Sequence, residues 1–425
     1  MLKLLLFAGC ALFGQIEAPA GEDLAPEVRK LVRQLDAPEK ALRDEAEQKL
    51  IELGVAALSL LPETTDRTPA EVALRLERIR SRLERTQAEA AVNGSTVSLE
   101  GSGLSLAEVF EAIEKQTGNK LVDFREQFNQ EPAPLKLALD VENMLFWQAL
   151  DQVLDQANLT IYSYGAEEGL AVVGRSNSQL PRFGRANYAG SFRIEATEFS
   201  AHRDLRDPNS HTMQLGIEAA WEPRLKPVVI IQPAGAIEAM TDAGEPLPIA
   251  GGDTEMEISV SPGATSADLF VNFELPDRGV KRIASLKGKL SVVLPGRIET
   301  FRFGNLEKAK KVERRKAGVT VVLDEARKNN EVWEVRVRVV FDKASGALES
   351  HRGWIFNNEA YLEAPNKETI ASGSLETTRQ TETDVGIAYL FDVPDGLKGY
   401  TFVYRTPAAI VTVPIEYELK DLELP

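Results

Sequence analysis

The window LESHRGWIFNNEAYL, residues 348–362, holds the densest group of side chains in the sequence that could do chemistry. His351 could act as an acid or a base, and Arg352 could bind an anion. Trp354 and Tyr361 add two aromatic surfaces, and an exposed aromatic side chain beside an arginine is typical of recognition sites. The candidate binding surface of this window is therefore His351, Arg352, Trp354 and Tyr361.

The same window also fits an ordinary structural role. Trp354 and Phe356 alternate as in a strand, Asn357-Asn358 supplies a bend, and residues 360–362 predict a second strand. Aromatic residues on a strand are usually core, so this interpretation is favoured and binding is its alternative. It predicts that the window is not an active site.

The remaining residues predict neither catalysis nor metal binding. His202 and His211 stand on either side of an Asp-Pro-Asn-Ser turn signal, which indicates a polar loop rather than converging ligands. The sequence contains no Gly-x-Ser-x-Gly elbow, dinucleotide fingerprint or P-loop. We predict no catalytic residue, no cofactor and no metal. A hydrolase that uses a carboxylate pair stays open as a third hypothesis, because 65 acidic residues supply many pairs.

Charge bears on the class of partner. The 425 residues carry a formal charge of −16, from 65 acidic and 49 basic residues. Nucleic-acid binding needs a basic footprint that displaces counterions, so the composition argues against this class. The one basic run is EKAKKVERRK, residues 307–316, where we predict a solvated linker or helix.

The N-terminus has the order of a secretory signal peptide. Lys3 precedes an apolar run from Leu4 to Phe13, and Ala20 ends a small-residue cleavage signal. The phrase FAGC also fits a lipoprotein box that would attach a lipid to Cys10, but the short distance from Lys3 favours cleavage after Ala20. We expect a protein exported to the periplasm or the cell exterior. Its mature chain would contain no cysteine and no segment of transmembrane length.

Residues 24–90 carry apolar side chains at helical spacing. The phrase LRDEAEQKLIELG resembles a unit of HEAT-type repeats, but a solenoid usually needs about three such units for stability. The sequence therefore predicts a helical cap. Its expected core stripes are Val28, Leu31, Val32 and Leu35, then Leu42, Ala46, Leu50 and Leu53, then Val72, Leu76, Ile79 and Leu83.

Residues 95–174 predict a strand, a helix, two strands, a helix and two strands. Ser105 and Glu108 have capping-box spacing, and Gly118 ends the first helix. The phrases VSLEGSGLSLAEVFEAIEKQTGNKLV and LKLALDVENMLFWQALDQVLDQANLTIYSY resemble the small N-terminal domain of secretins and TonB-dependent receptors. The resemblance implies a periplasmic αβ module that contacts partner proteins or relays a signal. It extends to this module and not to a pore.

Residues 190–425 alternate apolar and polar side chains as strands do, and they repeat. The phrase LPDRGVKRIASLKGKLSVVLPGRIETFRFGNLE is echoed by VPDGLKGYTFVYRTPAAIVTVPIEYELKDLE further along the chain. We predict two tandem copies of one domain, at 190–306 and 317–425. Their size and strand density fit a β-sandwich of immunoglobulin-like character.

These segments together predict a multidomain α+β protein. Its parts are a signal peptide at 1–20, a HEAT-like helical cap at 24–90, a secretin-type αβ module at 95–174, a β-sandwich at 190–306, the basic linker at 307–316 and a second β-sandwich at 317–425.

The leading functional hypothesis is a non-enzymatic, exported envelope protein that acts in protein–protein interaction, scaffolding or assembly. The alternative is a carbohydrate-binding protein that uses a sandwich surface, with Trp221, Trp333, Trp354 and Tyr361 as candidate aromatic platforms if any of them face solvent. The expected partners are envelope proteins or a glycan. The phrase WEPRLKP, together with LESHRGWIFNNEAYLEAP, the repeated sandwich and the helical cap, resembles secreted proteins of planctomycete-type bacteria. That resemblance implies a setting and no activity.

Overall fold

The computed structural model describes residues 21–64, 67–130, 136–162, 169–176, 179–207, 211–251, 254–261, 263–341, 353–381, 384–394 and 396–425. The predicted signal peptide, with Cys10 and the cleavage point at Ala20, lies outside these residues. The described chain is a mixed α+β protein that is mostly β, which confirms the predicted class. It divides into two compact units, with the boundary after Thr86.

The first unit is helical. It contains α1 (Gly21–Gln34), α2 (Lys40–Glu52), the 3-10 helix Val55–Leu60 and most of α3 (Ala70–Val92). Helix α3 continues past the boundary after Thr86. Most of the predicted stripes form one core, which includes Val28, Leu31, Leu35, Ala46, Leu50, Val72, Leu76, Ile79 and Leu83. The prediction was wrong for Leu42, which lies in the first turn of α2 and is 40% exposed.

The second unit begins with an αβ module in the predicted order of elements. These are β1 (Thr96–Leu104), α4 (Leu106–Thr117), β2 (Leu121–Asp123), β3 (Leu137–Leu145), α5 (Phe146–Ala157), β4 (Leu159–Tyr162) and β5 (Leu170–Gly174). Strands β1 and β3 pair antiparallel, while β5 pairs parallel with β2 and antiparallel with β4. Both helices bury their apolar faces in one core with these strands.

Local sequence signals fix the ends of α4. The Ser105 side chain accepts a hydrogen bond from the Glu108 backbone N–H, and the Glu108 carboxylate accepts one from the Ser105 backbone N–H. At the other end Gly118 takes a left-handed conformation with φ of 72°. Both helix-end predictions are therefore confirmed.

The rest of the second unit consists of strands. The first eight are β6 (Asn187–Ala189), β7 (Phe192–Arg203), β8 (His211–Trp221), β9 (Val229–Gln232), β10 (Ile237–Thr241), β11 (Met256–Ser259), β12 (Ser266–Glu274) and β13 (Arg282–Phe303). The last eight are β14 (Lys310–Lys316), β15 (Val319–Asn329), β16 (Val332–Phe341), β17 (Ala360–Glu363), β18 (Thr369–Ala371), β19 (Ser374–Gln380), β20 (Asp384–Phe391) and β21 (Thr401–Glu423), with a 3-10 helix Gly353–Asn357 before β17.

Three sheets are built from these strands. The first sheet has the order β12-β8-β7-β6, and the second has the order β14-β15-β16-β20-β19. The central sheet has the order β11-β9-β13-β21-β17-β18, with β10 also paired to β13. One core lies between the first sheet and part of the central sheet, and another lies between the second sheet and the remainder.

The first and second sheets share a detailed register. In β7 a bulge separates Ala196 from Glu198, and in β15 a bulge separates Leu323 from Glu325. The residue before each bulge lies opposite an apolar core residue of the next strand. The two sheets therefore repeat both the strand order β6-β7-β8-β12, as β14-β15-β16-β20, and the position of the irregularity.

Strands β13 and β21 are shared by both cores. They pair with each other along their whole length, from Arg282 opposite Glu423 to Phe303 opposite Phe402. The first core contains residues from the beginning of β13 and the end of β21, and the second core contains residues from the other two halves. Each predicted copy thus completes its core with a half-strand of the other copy.

Two local predictions were wrong. The basic segment 307–316 was expected to be a linker or helix, but residues 310–316 form β14, an edge strand paired with β15. Six of its seven residues are exposed, so the apolar alternation that signals a strand is absent. The predicted strand at Trp354–Phe356 is instead part of the 3-10 helix Gly353–Asn357.

Candidate functional site

The structure locates part of the predicted binding surface. His351 and Arg352 lie outside the described residues, and only the backbone of Trp354 is described, in the 3-10 helix Gly353–Asn357. Tyr361 is half-buried on β17, opposite Val403 of β21. Of the four candidates, Tyr361 alone is described with its side chain, and it lies within a sheet.

The polar residues beside Tyr361 bind β21. The Asn358 amide donates to the hydroxyl oxygens of Tyr404 at 2.8 Å and Thr406 at 2.9 Å. The Glu359 carboxylate pairs with the Arg405 guanidinium at 2.5 Å. Burial raises the pKa of Tyr404, so this phenol stays protonated. These contacts fasten the turn to the central sheet, as the structural interpretation of the window requires.

The tryptophans predicted as sugar platforms are not open surfaces where they are described. Trp221 is fully buried in the first core and does not face solvent, so it is excluded as a platform. Trp333 is half-buried and packs against the second core. The carbohydrate hypothesis therefore loses one of its four platforms outright.

The two described histidines lie on the two strands of one hairpin, beside its turn. His202 lies near the end of β7 and His211 begins β8, where it faces Arg203. Asp204 organises the turn, because its carboxylate accepts the Arg206 backbone N–H at 2.7 Å. Within the described ranges, no group of three or more histidine, cysteine, aspartate or glutamate side chains could hold a metal ion.

A buried ion pair joins the αβ module to the first sheet. Asp151 on α5 and Arg193 on β7 are both fully buried, and the Arg193 Nε donates to Asp151 Oδ2 at 2.7 Å. The Tyr188 hydroxyl donates to the same oxygen at 2.7 Å. Burial and the adjacent Asp151 raise the pKa of Tyr188, so it remains a donor. Paired burial satisfies charges that would be very costly to bury alone.

The ion pair extends into a network on the outer face of the first sheet. Glu195 accepts hydrogen bonds from Arg193 at 2.8 Å and from Arg182 at 2.5 Å, and Glu218 lies 3.2 Å from Arg182. Burial alone would raise the pKa of Glu195, but the charges of Arg193 and Arg182 outweigh it and hold that pKa below its ordinary value. Charge-assisted hydrogen bonds therefore connect Asp151 of the module, through Arg193, to Glu195 on β7.

A second buried network lies at the other end of the contact between the αβ module and the first sheet, which we call the junction. The Glu222 carboxylate, which is fully buried, accepts hydrogen bonds from the Ser95 hydroxyl at 2.7 Å and from the Asn119 amide at 2.8 Å. The Trp147 indole donates to the Ser191 backbone oxygen at 3.0 Å. Buried hydrogen bonds at both ends therefore join the module to the first sheet, although Asp151 Oδ1 and Arg193 Nη1 have no hydrogen-bond partner among the described residues.

The connection between the module and the first sheet turns at residues 182–185. Asp155 of α5 accepts the backbone N–H groups of Arg182 and Phe183, at 2.9 and 2.8 Å, and also binds Arg175. Burial would raise the pKa of Asp155, but these donors lower it. Asp155 thus binds this stretch of chain to the module.

A cleft of about 930 Å³ opens where that turn leaves the sheet. One wall is the stretch Gly184–Asn187, the second is Glu195–Phe199 of β7, and the third is Glu418–Glu423 of β21. Leu215 of β8 also lines the cleft. The cleft is therefore the open side of the first core, between the edges of two sheets.

Both strands that line the cleft present unpaired edges there. Strand β6 pairs with β7 only from Asn187–Ile194 to Ala189–Phe192. Within the described part of the chain, no strand pairs with residues 195–203 of β7 on the side away from β8, or with residues 411–423 of β21 on the side away from β13. An unpaired edge offers a row of backbone donors and acceptors to another chain.

Comparison with known proteins adds no relative. No protein-family model and no curated protein matches the chain. Among the described residues, the structure contains no helix of the length and apolarity that crossing a membrane requires.

Sequence reasoning missed the junction and the cleft. Arg193 and Glu195 stand at the outward positions of the phrase FRIEATEF, where alternation predicts solvent. The available signal was the clustering of Asp151 and Asp155 one turn apart on the helix that also carries Trp147. Nothing in the spacing pairs these residues with a strand about 40 positions away.

Proposed function

We propose that this protein is a non-enzymatic, exported envelope protein that acts through protein–protein contacts, as a scaffold or an assembly factor. The observation that carries the proposal is the cleft of about 930 Å³ that opens onto the unpaired edges of β7 and β21. Backbone edges are a common recognition surface for other polypeptides. The buried junction supports a scaffold role, because it holds the αβ module and the sheets as one body.

The finer parts of the architecture belong to this proposal. The two cores between sheets are consistent with immunoglobulin-like sandwiches, and the matched bulges in β7 and β15 support a duplication. The order of elements in residues 95–174 supports a secretin-type module, and the helices before Thr86 support a HEAT-like cap. Export rests on the signal-peptide pattern that ends at Ala20.

The test is site-specific photocrosslinking in the native envelope. A photoreactive amino acid replaces Thr197, which is exposed beside the cleft. The control replaces Asp268, which is exposed on β12 at the opposite edge of the same sheet. We expect one defined protein adduct from position 197 and none from position 268. Equal adducts from both positions, or none from either, would contradict a protein-contact function at the cleft.

A further inference from the structure

A comparison of the first two sheets shows that the first sheet has no paired counterpart for most of strand β14. Strand β14 runs along β15 from Lys316 opposite Val319 to Lys310 opposite Glu325, past the bulge. Strand β6 begins the same way, with Ala189 opposite Phe192, but its pairing ends at Asn187. Counting six residues back from Ala189, the counterpart of Lys310 is Phe183. The stretch equivalent to most of β14 is therefore not paired with β7.

The stretch of chain that corresponds to the beginning of β14 contacts the αβ module instead of β7. The backbone N–H groups of Arg182 and Phe183 bind the Asp155 carboxylate, and residues 182–185 form a turn closed by the Arg185 N–H and the Arg182 oxygen at 3.1 Å. Because the module retains this stretch, the edge of β7 beyond Ile194 faces the cleft instead of a neighbouring strand.

The charges at the cleft indicate what fits there. Its lining contains five carboxylates, at Glu195, Glu198, Glu418, Asp421 and Glu423, and two cationic side chains, at Arg185 and Lys420. Glu195 is engaged by Arg182 and Arg193, whereas Glu198 and Glu423 are exposed. At the equivalent place in the second sheet the occupant, β14, has the basic sequence KKVERRK.

We infer that this cleft accepts an extended basic segment of a partner protein, which adds to β7 as a further antiparallel strand. The inference rests on the proposed function and specifies its partner. The edge of β7 that β6 leaves unpaired, residues 195–203, spans roughly 30 Å, so an extended segment of about seven residues, roughly 23 Å long, fits along it. Backbone hydrogen bonds to β7 supply affinity, and the exposed carboxylates select basic side chains.

The first experiment measures binding of a labelled peptide to the purified protein by fluorescence anisotropy. The peptide is KAKKVERRK, the sequence of residues 308–316. Two further peptides carry N-methyl groups on alternate residues, one on the odd and one on the even positions. An added strand directs alternate N–H groups at its neighbour, so we expect saturable binding of the parent and loss of binding for at least one methylated peptide. Attraction by charge alone would treat all three peptides alike, and equal binding would overturn the inference.

The second experiment uses charge-reversed variants of the protein. E198K/E423K reverses two exposed carboxylates at the cleft, and D268K/E274K reverses two exposed carboxylates on β12 at the far edge of the same sheet. We expect the cleft variant to bind the parent peptide about tenfold more weakly and the control to change by less than about twofold. Equal effects of the two variants would overturn the inference.

Other outcomes are distinguishable. If the purified protein self-associates and the peptide dissociates it, the occupant is β14 of a second copy, and the assignment to a partner protein is overturned. The peptide assays need no envelope. Peptide binding without an envelope crosslink at position 197 would overturn the proposed function and leave the chemistry of the cleft supported. A crosslink without peptide binding would do the reverse.

Discussion

Arg193 shows how a charged residue becomes a structural anchor. Its side chain is fully buried between β7 and α5, yet carboxylates of Asp151 and Glu195 lie within 2.8 Å of it. Burial opposes the charged form, but these carboxylates outweigh it and raise the pKa of Arg193, so the guanidinium stays charged. Removing one partner of such a pair leaves the other charge buried without compensation.

We predict that R193M destabilises residues 87–425 by about 3–5 kcal/mol, because Asp151 then lies buried with Tyr188 as its remaining donor. The measurement is urea denaturation followed by tryptophan fluorescence. The control is R302M, which breaks the exposed pair between Arg302 and Glu363 and should cost less than about 1 kcal/mol. A similar loss in both variants would contradict the anchoring role of Arg193.

Glu195 makes the junction sensitive to acid. Its pKa in the folded protein is below the ordinary value of 4.5, so its contribution to stability is present above that value. The contribution is lost as the pH falls through the lowered pKa of the folded state. We predict that E195Q is less stable than the native protein at pH 7 and that the gap narrows toward pH 3. Urea denaturation at both pH values measures the gap, and a gap independent of pH would contradict this account.

At the scale of elements, strand alternation predicted what is buried but not in which core. Residues 190–425 were predicted to form strands from their alternation, and the alternating phrases FRIEATEF and WEVRVRVVF lie in β7 and β16. The phrase VTVPIEYELKDLE was assigned to the second copy, but its inward residues belong to the first core, because side-chain alternation carries no information about which sheet lies opposite. Strand β14 was missed because an edge strand with both faces exposed shows no alternation.

The pairing of β13 with β21 includes one close contact between a glycine and a tyrosine ring. Gly288 lies opposite Tyr417, and a Cβ atom on Gly288 would lie 2.2 Å from the tyrosine Cζ. The tyrosine ring therefore covers the glycine on the core side of the central sheet, where Tyr417 is almost fully buried. The contact explains why a glycine is accommodated in the middle of a long strand.

We predict that G288A destabilises residues 87–425 by about 1–3 kcal/mol through overpacking against the Tyr417 ring. In a Y417A background, where the ring is absent, the same substitution should cost little. A double-mutant cycle from denaturation curves measures the coupling between the two positions. Additive effects would show that the ring does not limit position 288.

At the scale of the whole molecule, the shared strands tie the two cores together. The sequence repeat predicted two copies side by side. The exchange of half-strands was not predictable, because the repeat describes similarity between segments and not which of them lie together. Ile415 of β21 packs in the first core, and Phe301 of β13 packs in the second. Neither core is complete without a half-strand from the other of the two predicted copies.

We predict that residues 87–425 unfold in one transition that both I415A and F301A shift. Each substitution removes buried apolar volume and should cost about 2–5 kcal/mol. Calorimetry together with tryptophan fluorescence measures the transition. Separation of the transition into two in either variant, with one part at the native temperature, would contradict coupling through the shared strands.

The pairing of β13 with β21 also determines how the central sheet resists a mechanical force. Twenty residue pairs join the two strands, and the end of β21 lies beside the start of β13. A pull along β21 loads these pairs in parallel, so they must slide together before any one separates. A pull across the strands would instead open the pairs one after another from the Arg282–Glu423 end. The pairing of β13 with β21 should therefore resist a force along the strands better than a force across them, so its mechanical resistance depends on the direction of the force.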